Sequence, residues 1–288
     1  MIQNSSMLVD LNISVWTGRK MDKKVSDEID ASKNTKAKGG NYHKKLLAGT
    51  QKLDDVQKLV AAIRIWHYNQ TLPWSDGGSR LLPMKNFFDY KATLADYEQQ
   101  FNEAAEAFFI EYPTLVSAAA FQLGDLYTAD EYPDVEKLRD KFRFKYVFLP
   151  VPEVGDFRID VNETSRQELQ AQYESFYQTK LNDAMKDAWD RLHECVTKMS
   201  EKLADAPSPR ETKEGPNYTQ IFRDSLVTNA VDLCELLTKL NVTNDPKLET
   251  ARKQLETAIS GVSADELRKD DTARHSVKRK VDEILSMF

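Results

Sequence analysis

The residues able to do chemistry are few and widely spaced. The four histidines, His43, His67, His193 and His275, have no partner at metal-ligand spacing; His193 and Cys195, two apart on a helix, point to different faces. Cys195 and Cys234, the two cysteines, lie in apolar-periodic segments and read as small buried hydrophobes in a reducing compartment, too few for a disulfide framework. The densest polar-aromatic group is Trp66-His67 followed by Trp74, Asp76 and Arg80. An Asp and a His could do acid–base work if they converged, and Gly77-Gly78 could admit a ligand. No nucleophile or second carboxylate accompanies them. The ordinary reading is a structural loop, with Trp74 as anchor and Asp76 and Arg80 satisfying turn amides. Phosphate-loop, zinc-protease, paired Cys-x-x-Cys and nucleophile-elbow patterns are absent from the sequence. No catalytic, metal-binding or cofactor-binding residue is nominated, and no cofactor is expected.

Charge gives a second candidate. The chain of 288 residues has a formal net charge of −6, which argues against coating nucleic acid along its whole surface. The distribution is uneven: residues 1–52 hold ten Lys/Arg against five Asp/Glu, whereas residues 53–218 hold 19 against 29. Any polyanion contact should therefore use Arg19, Lys20, Lys23, Lys24, Lys36, Lys38, Tyr42, Lys44 and Lys45. Lysines would supply charge, Gly39-Gly40 close backbone approach, and Tyr42 a stacking surface. Arg143, Lys145 and Arg158 could extend that surface. Against this stands the plainer reading of a solvated segment, its charge offset by Asp22, Asp27, Glu28 and Asp30.

The elements that must carry these residues are mostly helical. Leu53, Val56, Val60, Ile63 and Trp66 recur along one side of a helix at about 53–69. Leu94, Tyr97, Phe101, Ala105, Phe108 and Tyr112 do so at 86–112, after which Pro113 is expected to start a new helix. A stripe from Leu169 through Tyr173, Phe176, Leu181, Met185, Trp189, Leu192, Val196 and Met199 to Leu203 predicts a helix of about 38 residues, roughly 57 Å. Further helices are expected at about 219–240, 245–260 and 272–287, with another short one from Pro133 and a polar one at 19–29. Strand alternation marks Val9, Leu11, Ile13 and Val15, and again Phe142, Phe144, Tyr146 and Phe148. The second run, with 157–161, predicts a hairpin at 142–161, joined by the strand at 8–15. The fold class is α+β, predominantly α-helical, with long amphipathic helices and a small antiparallel sheet covered by the helices at 53–69 and 86–112. The expected organisation is a core at 1–205 with its basic N-terminal segment, a linker at 206–218 and a small helical subdomain at 219–288. No window approaches 18 apolar residues, so no membrane span is expected. The start lacks a secretory pattern, and the expected location is cytosolic.

Several phrases occur together: Ile13-Ser14-Val15-Trp16-Thr17-Gly18-Arg19-Lys20-Met21-Asp22-Lys23-Lys24, His67-Tyr68-Asn69-Gln70-Thr71-Leu72-Pro73-Trp74, Arg80-Leu81-Leu82-Pro83, and Phe142-Arg143-Phe144 with Leu149-Pro150-Val151-Pro152. They resemble an uncharacterised family of bacteriophage and prophage proteins, a domain of unknown function, over about the first 165 residues. The resemblance implies a phage origin and expression in the cytoplasm of a bacterial host; it supplies no reaction and no site residues. Two functions are expected on these grounds. The first is a non-enzymatic interaction or assembly protein with a protein partner or self-association, an anti-defence role being one version. The second is a nucleic-acid-binding accessory in phage replication or recombination.

Overall fold

A computed structural model describes residues 5–152, 162–204, 210–212, 215–217 and 223–288. In chain order the elements are β1 (Ser6–Ser14), β2 (Arg19–Asp22), α1 (Lys23–Ser32), β3 (Tyr42–Lys45), α2 (Lys52–Gln70), β4 (Leu72–Pro73), β5 (Arg80–Pro83), α3 (Phe87–Leu123), α4 (Val135–Arg139), β6 (Arg143–Pro150), α5 (Glu163–Leu203), β7 (Arg210–Thr212), β8 (Gly215–Asn217), α6 (Ser225–Leu240), α7 (Pro246–Ile259), α8 (Ala264–Lys269) and α9 (Asp271–Leu285). Among the described residues three sheets form, ordered β4-β5-β1-β6, β2-β3 and β7-β8. The protein is α+β, helix-dominated, with a small sheet, as the periodicities predict.

The chain divides into two compact units. One contains residues 1–10, 68–88 and 148–288, the other 11–67 and 89–147. In the first, the second half of α5 buries Ala184, Ala188, Leu192, Val196, Met199 and Leu203 against apolar residues of α6, α7 and α9, among them Leu237, Leu255, Val277 and Val281. Alanines at 184 and 188 let neighbouring backbones come close, and larger side chains fill the remainder. Phe176, expected in this stripe, is about half exposed. The helices after 218 thus share the α5 core, so they do not form a separate subdomain; the linker read at 206–218 lies largely outside the described residues.

In the second unit, α2 contributes Leu53, Val56, Val60 and Ile63, and α3 contributes Phe101, Ala105, Phe108, Phe109 and Tyr112. They enclose Ile13 of β1, with Phe142 and Phe144 packed alongside. Phe144 lies 5.6 Å from Phe101, ring to ring. Along β6, Phe144, Tyr146 and Phe148 are half-buried while Arg143, Lys145 and Val147 face solvent, the expected alternation. The partner strand expected at 157–161, with Arg158, lies outside the described residues; β6 instead neighbours β1.

Three expectations need correction. Pro113 lies inside a continuous α3 of 37 residues and does not start a new helix. Buried residues on both sides of it, Phe109, Tyr112 and Ala119, hold the helix together by packing, which outweighs the missing N–H. The polar helix read at 19–29 begins only at Lys23, after the strand β2. The loop at 71–83 contains two short strands, with Leu81 paired to Leu72 on one side and to Leu8 on the other.

Candidate functional site

Gly18 opens the basic segment. Its φ of +61° is left-handed, and a Cβ there would come within 2.5 Å of the Leu53 side chain, so glycine makes this turn without strain. β2 and β3 then pair antiparallel, Arg19 opposite Lys45, Lys20 opposite Lys44, Met21 opposite His43 and Asp22 opposite Tyr42. Between them runs α1, capped by the Asp22 carboxylate, which accepts from Val25 N at 3.1 Å. The buried Ser26 hydroxyl donates to Asp22 O at 2.6 Å and accepts from Tyr42 N at 2.9 Å, fastening helix to ribbon. Asp30 accepts from Gly39 N at 3.2 Å and orders the return.

The basic residues separate into two kinds. Lys44 is only 3 % exposed. Its Nζ lies 2.7 Å from Leu126 O, 3.1 Å from Asp22 Oδ2 and 2.8 Å from Glu131 Oε2, so all three ammonium protons are taken. The two carboxylates, outweighing its desolvation, hold the Lys44 pKa above the ordinary lysine value. The Val25 amide first, then Lys44, hold the Asp22 carboxyl below the usual range. Lys44 is therefore a structural clamp and not a polyanion contact. Tyr132 reinforces the same region by donating to Leu46 O at 2.7 Å, and burial pushes its phenol up to about 12.

Arg19, Lys20, Lys23, Lys24 and Lys45 are exposed. None has an ion pair or hydrogen bond from its side chain among the described residues. With a strand period of two, Arg19, Met21, His43 and Lys45 share one face of the ribbon. Lys23 and Lys24 open α1, whose first turn has no acid. Lys36 and Lys38 are exposed in the connection to β3, and Tyr42 is borderline exposed beside Asp22. Arg143 and Lys145 lie outward on β6, which belongs to a different sheet; Arg143 Nε is engaged by Asp140 O at 2.9 Å. Strand pairing thus places Arg19 and Lys45 on one ribbon face and Lys20 on the other with Lys44, while chain continuity sets Lys23 and Lys24 at the adjoining helix start.

The loop residues have structural roles. Trp74 is buried edge-on against Tyr177, centroids 5.5 Å apart. Arg80 Nε donates to Thr71 Oγ1 at 2.7 Å and its Nη2 to Thr71 O at 3.0 Å, so it satisfies carbonyls and not amides, as a guanidinium must. Asp76 is fully exposed, its nearest cation being Lys180 at 3.6 Å; the turn is closed instead by Ser75 and Ser79. His67 is buried with Nδ1 2.7 Å from Tyr90 Oη. The acid–base reading of His67 and Asp76 is not supported by these placements.

In the first unit, a cavity of about 540 Å³ is lined by Asn69, Gln70, Arg191, Cys195, Lys198 and Leu226 among others. Arg191 is spent on the carbonyls of Tyr68, Asn69 and Thr71 at 2.7–2.9 Å. Burial pushes the Cys195 thiol up to about 11, the direction opposite to that of an activated cysteine. Among the described residues, no cluster of three His, Cys, Asp or Glu could hold a metal ion, and no helix is long and apolar enough to cross a membrane. Searched against family models, curated proteins and solved structures, the chain matches none.

Proposed function

We propose that the chain is a non-enzymatic, phage-encoded interaction protein of the host cytoplasm that self-associates through the outer face of α3. The observation that carries this reading is the exposure of two large apolar side chains, Ile110 at 72 % and Phe121 at 96 %. Eleven residues apart, they lie three turns along the same face, with exposed Thr114 and Ser117 between them. Scattered single apolar residues on a surface are ordinary, but a phenyl ring almost wholly in water at the end of an aligned face favours a covered state. Burying one such ring is worth about 1.5–3 kcal/mol, and a symmetric pairing would bury it twice. The resemblance to phage proteins supports the setting and not the partner.

Size exclusion coupled to light scattering at tens of micromolar tests the reading. The expected result is a dimer or larger species that Phe121→Glu and Ile110→Glu each convert to monomer with an unchanged far-UV spectrum. A strict wild-type monomer at that concentration would refute it.

A further inference from the structure

We infer that the open face of the β2–β3 ribbon, continued by the first turn of α1, binds the phosphate backbone of a single-stranded nucleic acid. Two independent features of the fold cost stability unless an anion is present. Arg19 stands directly opposite Lys45 across the ribbon, and like charges so placed repel. Lys23 and Lys24 occupy the first turn of a ten-residue helix, the end where the helix dipole disfavours cations. Two of the nearby acids are otherwise engaged. Asp22 is held by Lys44 and the α1 cap, and Asp30 by the Gly39 amide. Asp27 and Glu28, four residues on from Lys23 and Lys24 along α1, form no ion pair with them among the described residues, though they offset part of the local charge. Arg19 and Lys45 on the open face, with Lys23 and Lys24 on the adjoining helix, remain as four cations; Lys20 stands on the opposite face with Lys44.

The apolar part of the surface selects the ligand. Met21, 43 % exposed, sits opposite the exposed His43 on the same face as the Arg19–Lys45 pair. Unstacked bases find flat, partly apolar partners in such side chains, and a duplex hides those base faces. A ribbon of four residues spans about 13 Å, enough for a short stretch of flexible strand. This site uses none of the α3 residues proposed for self-association, so the two proposals fail separately.

The test is fluorescence anisotropy of a labelled 20-nucleotide oligothymidine titrated with the full chain over a potassium chloride series. Four phosphate contacts on a single strand predict a log–log salt slope near −2.8, from about 0.7 per contact. The variant R19Q/K45Q should bind at least about tenfold more weakly at low salt, with a slope reduced by about 1.4; Lys44 is left in place because it is buried, and Lys20 because it stands on the other face. A second variant, K23Q/K24Q, removes cations from a helix start where they are unfavourable, so it keeps its fold and should reduce the slope by about 1.4. Absence of wild-type binding at low salt, equal binding by the K23Q/K24Q variant, or tighter binding to a duplex of the same length or to phosphatidylserine vesicles would each overturn the proposal.

Discussion

Lys44 shows how one buried cation organises its surroundings. Its ammonium joins the α1 cap, Asp22, to Glu131 and the Leu126 carbonyl, groups about eighty residues away in sequence. Lys44→Met would leave two carboxylates facing each other with no cation between them. Removing one partner of a fully buried pair costs about 3–5 kcal/mol; the two acids here are slightly exposed, so a loss of about 2–3 kcal/mol is expected in chemical denaturation. The pH dependence follows from the directions of the shifts. Asp22 is lowered on folding, so its contribution is present above the ordinary carboxylate pKa and lost as pH falls through its folded value. Lys44 is raised above 10.5, so its contribution is complete below that pH and lost as pH rises through the folded value. Wild type should show both limbs and Lys44→Met should flatten them; parallel stability–pH curves would refute the clamp.

Helix α3 is interrupted chemically but not structurally by Pro113. Proline has no N–H for the Phe109 carbonyl, and the Ser117 hydroxyl spends itself on Pro113 O at 3.0 Å. Pro113 is exposed, so Pro113→Ala restores a backbone donor without opening a cavity. It should stabilise the protein by about 1–3 kcal/mol, read as a higher melting temperature; a fall would mean that a bend at 113 is needed for packing. The sequence reading missed this because proline at a helix start and proline inside a packed helix look alike without the tertiary contacts. Long helices were readable, since α2, α5 and α7 repeat apolar residues over several turns. The strands β2, β3, β4 and β5 were not, because two to four residues are too short for alternation to register. At the site, composition located the cations, but burial of Lys44 depends on Glu131 and Leu126, which no local pattern announces. Met21 and His43 gained meaning only from the register of the ribbon.

The division into units decides what can be cut from the molecule. α5 buries Leu192, Val196, Met199 and Leu203 against helices that follow residue 218. At about 1.5–3 kcal/mol for each buried large apolar side chain, exposing these four costs as much as an average domain's whole stability. A chain ending at residue 205 should therefore be insoluble or melt without a cooperative transition in calorimetry. A sharp transition and a dispersed proton–nitrogen spectrum would contradict that. The first unit is also assembled from three separate stretches of chain, residues 1–10, 68–88 and 148–288, which gives its formation a definite order in time. On the ribosome, the unit of residues 11–67 and 89–147 has all its parts once residue 147 emerges. The strand Ser6–Val9, which pairs with Arg80–Pro83, meets its nearest neighbour early, yet the α5–α9 core it belongs to is still untranslated. At synthesis rates of about 5–20 residues per second, that wait is roughly 7–28 s. For that interval the nascent chain presents Leu8, Leu72 and Leu81 without the core that later covers them, a window in which a chaperone or a second nascent chain on the same messenger can reach them first.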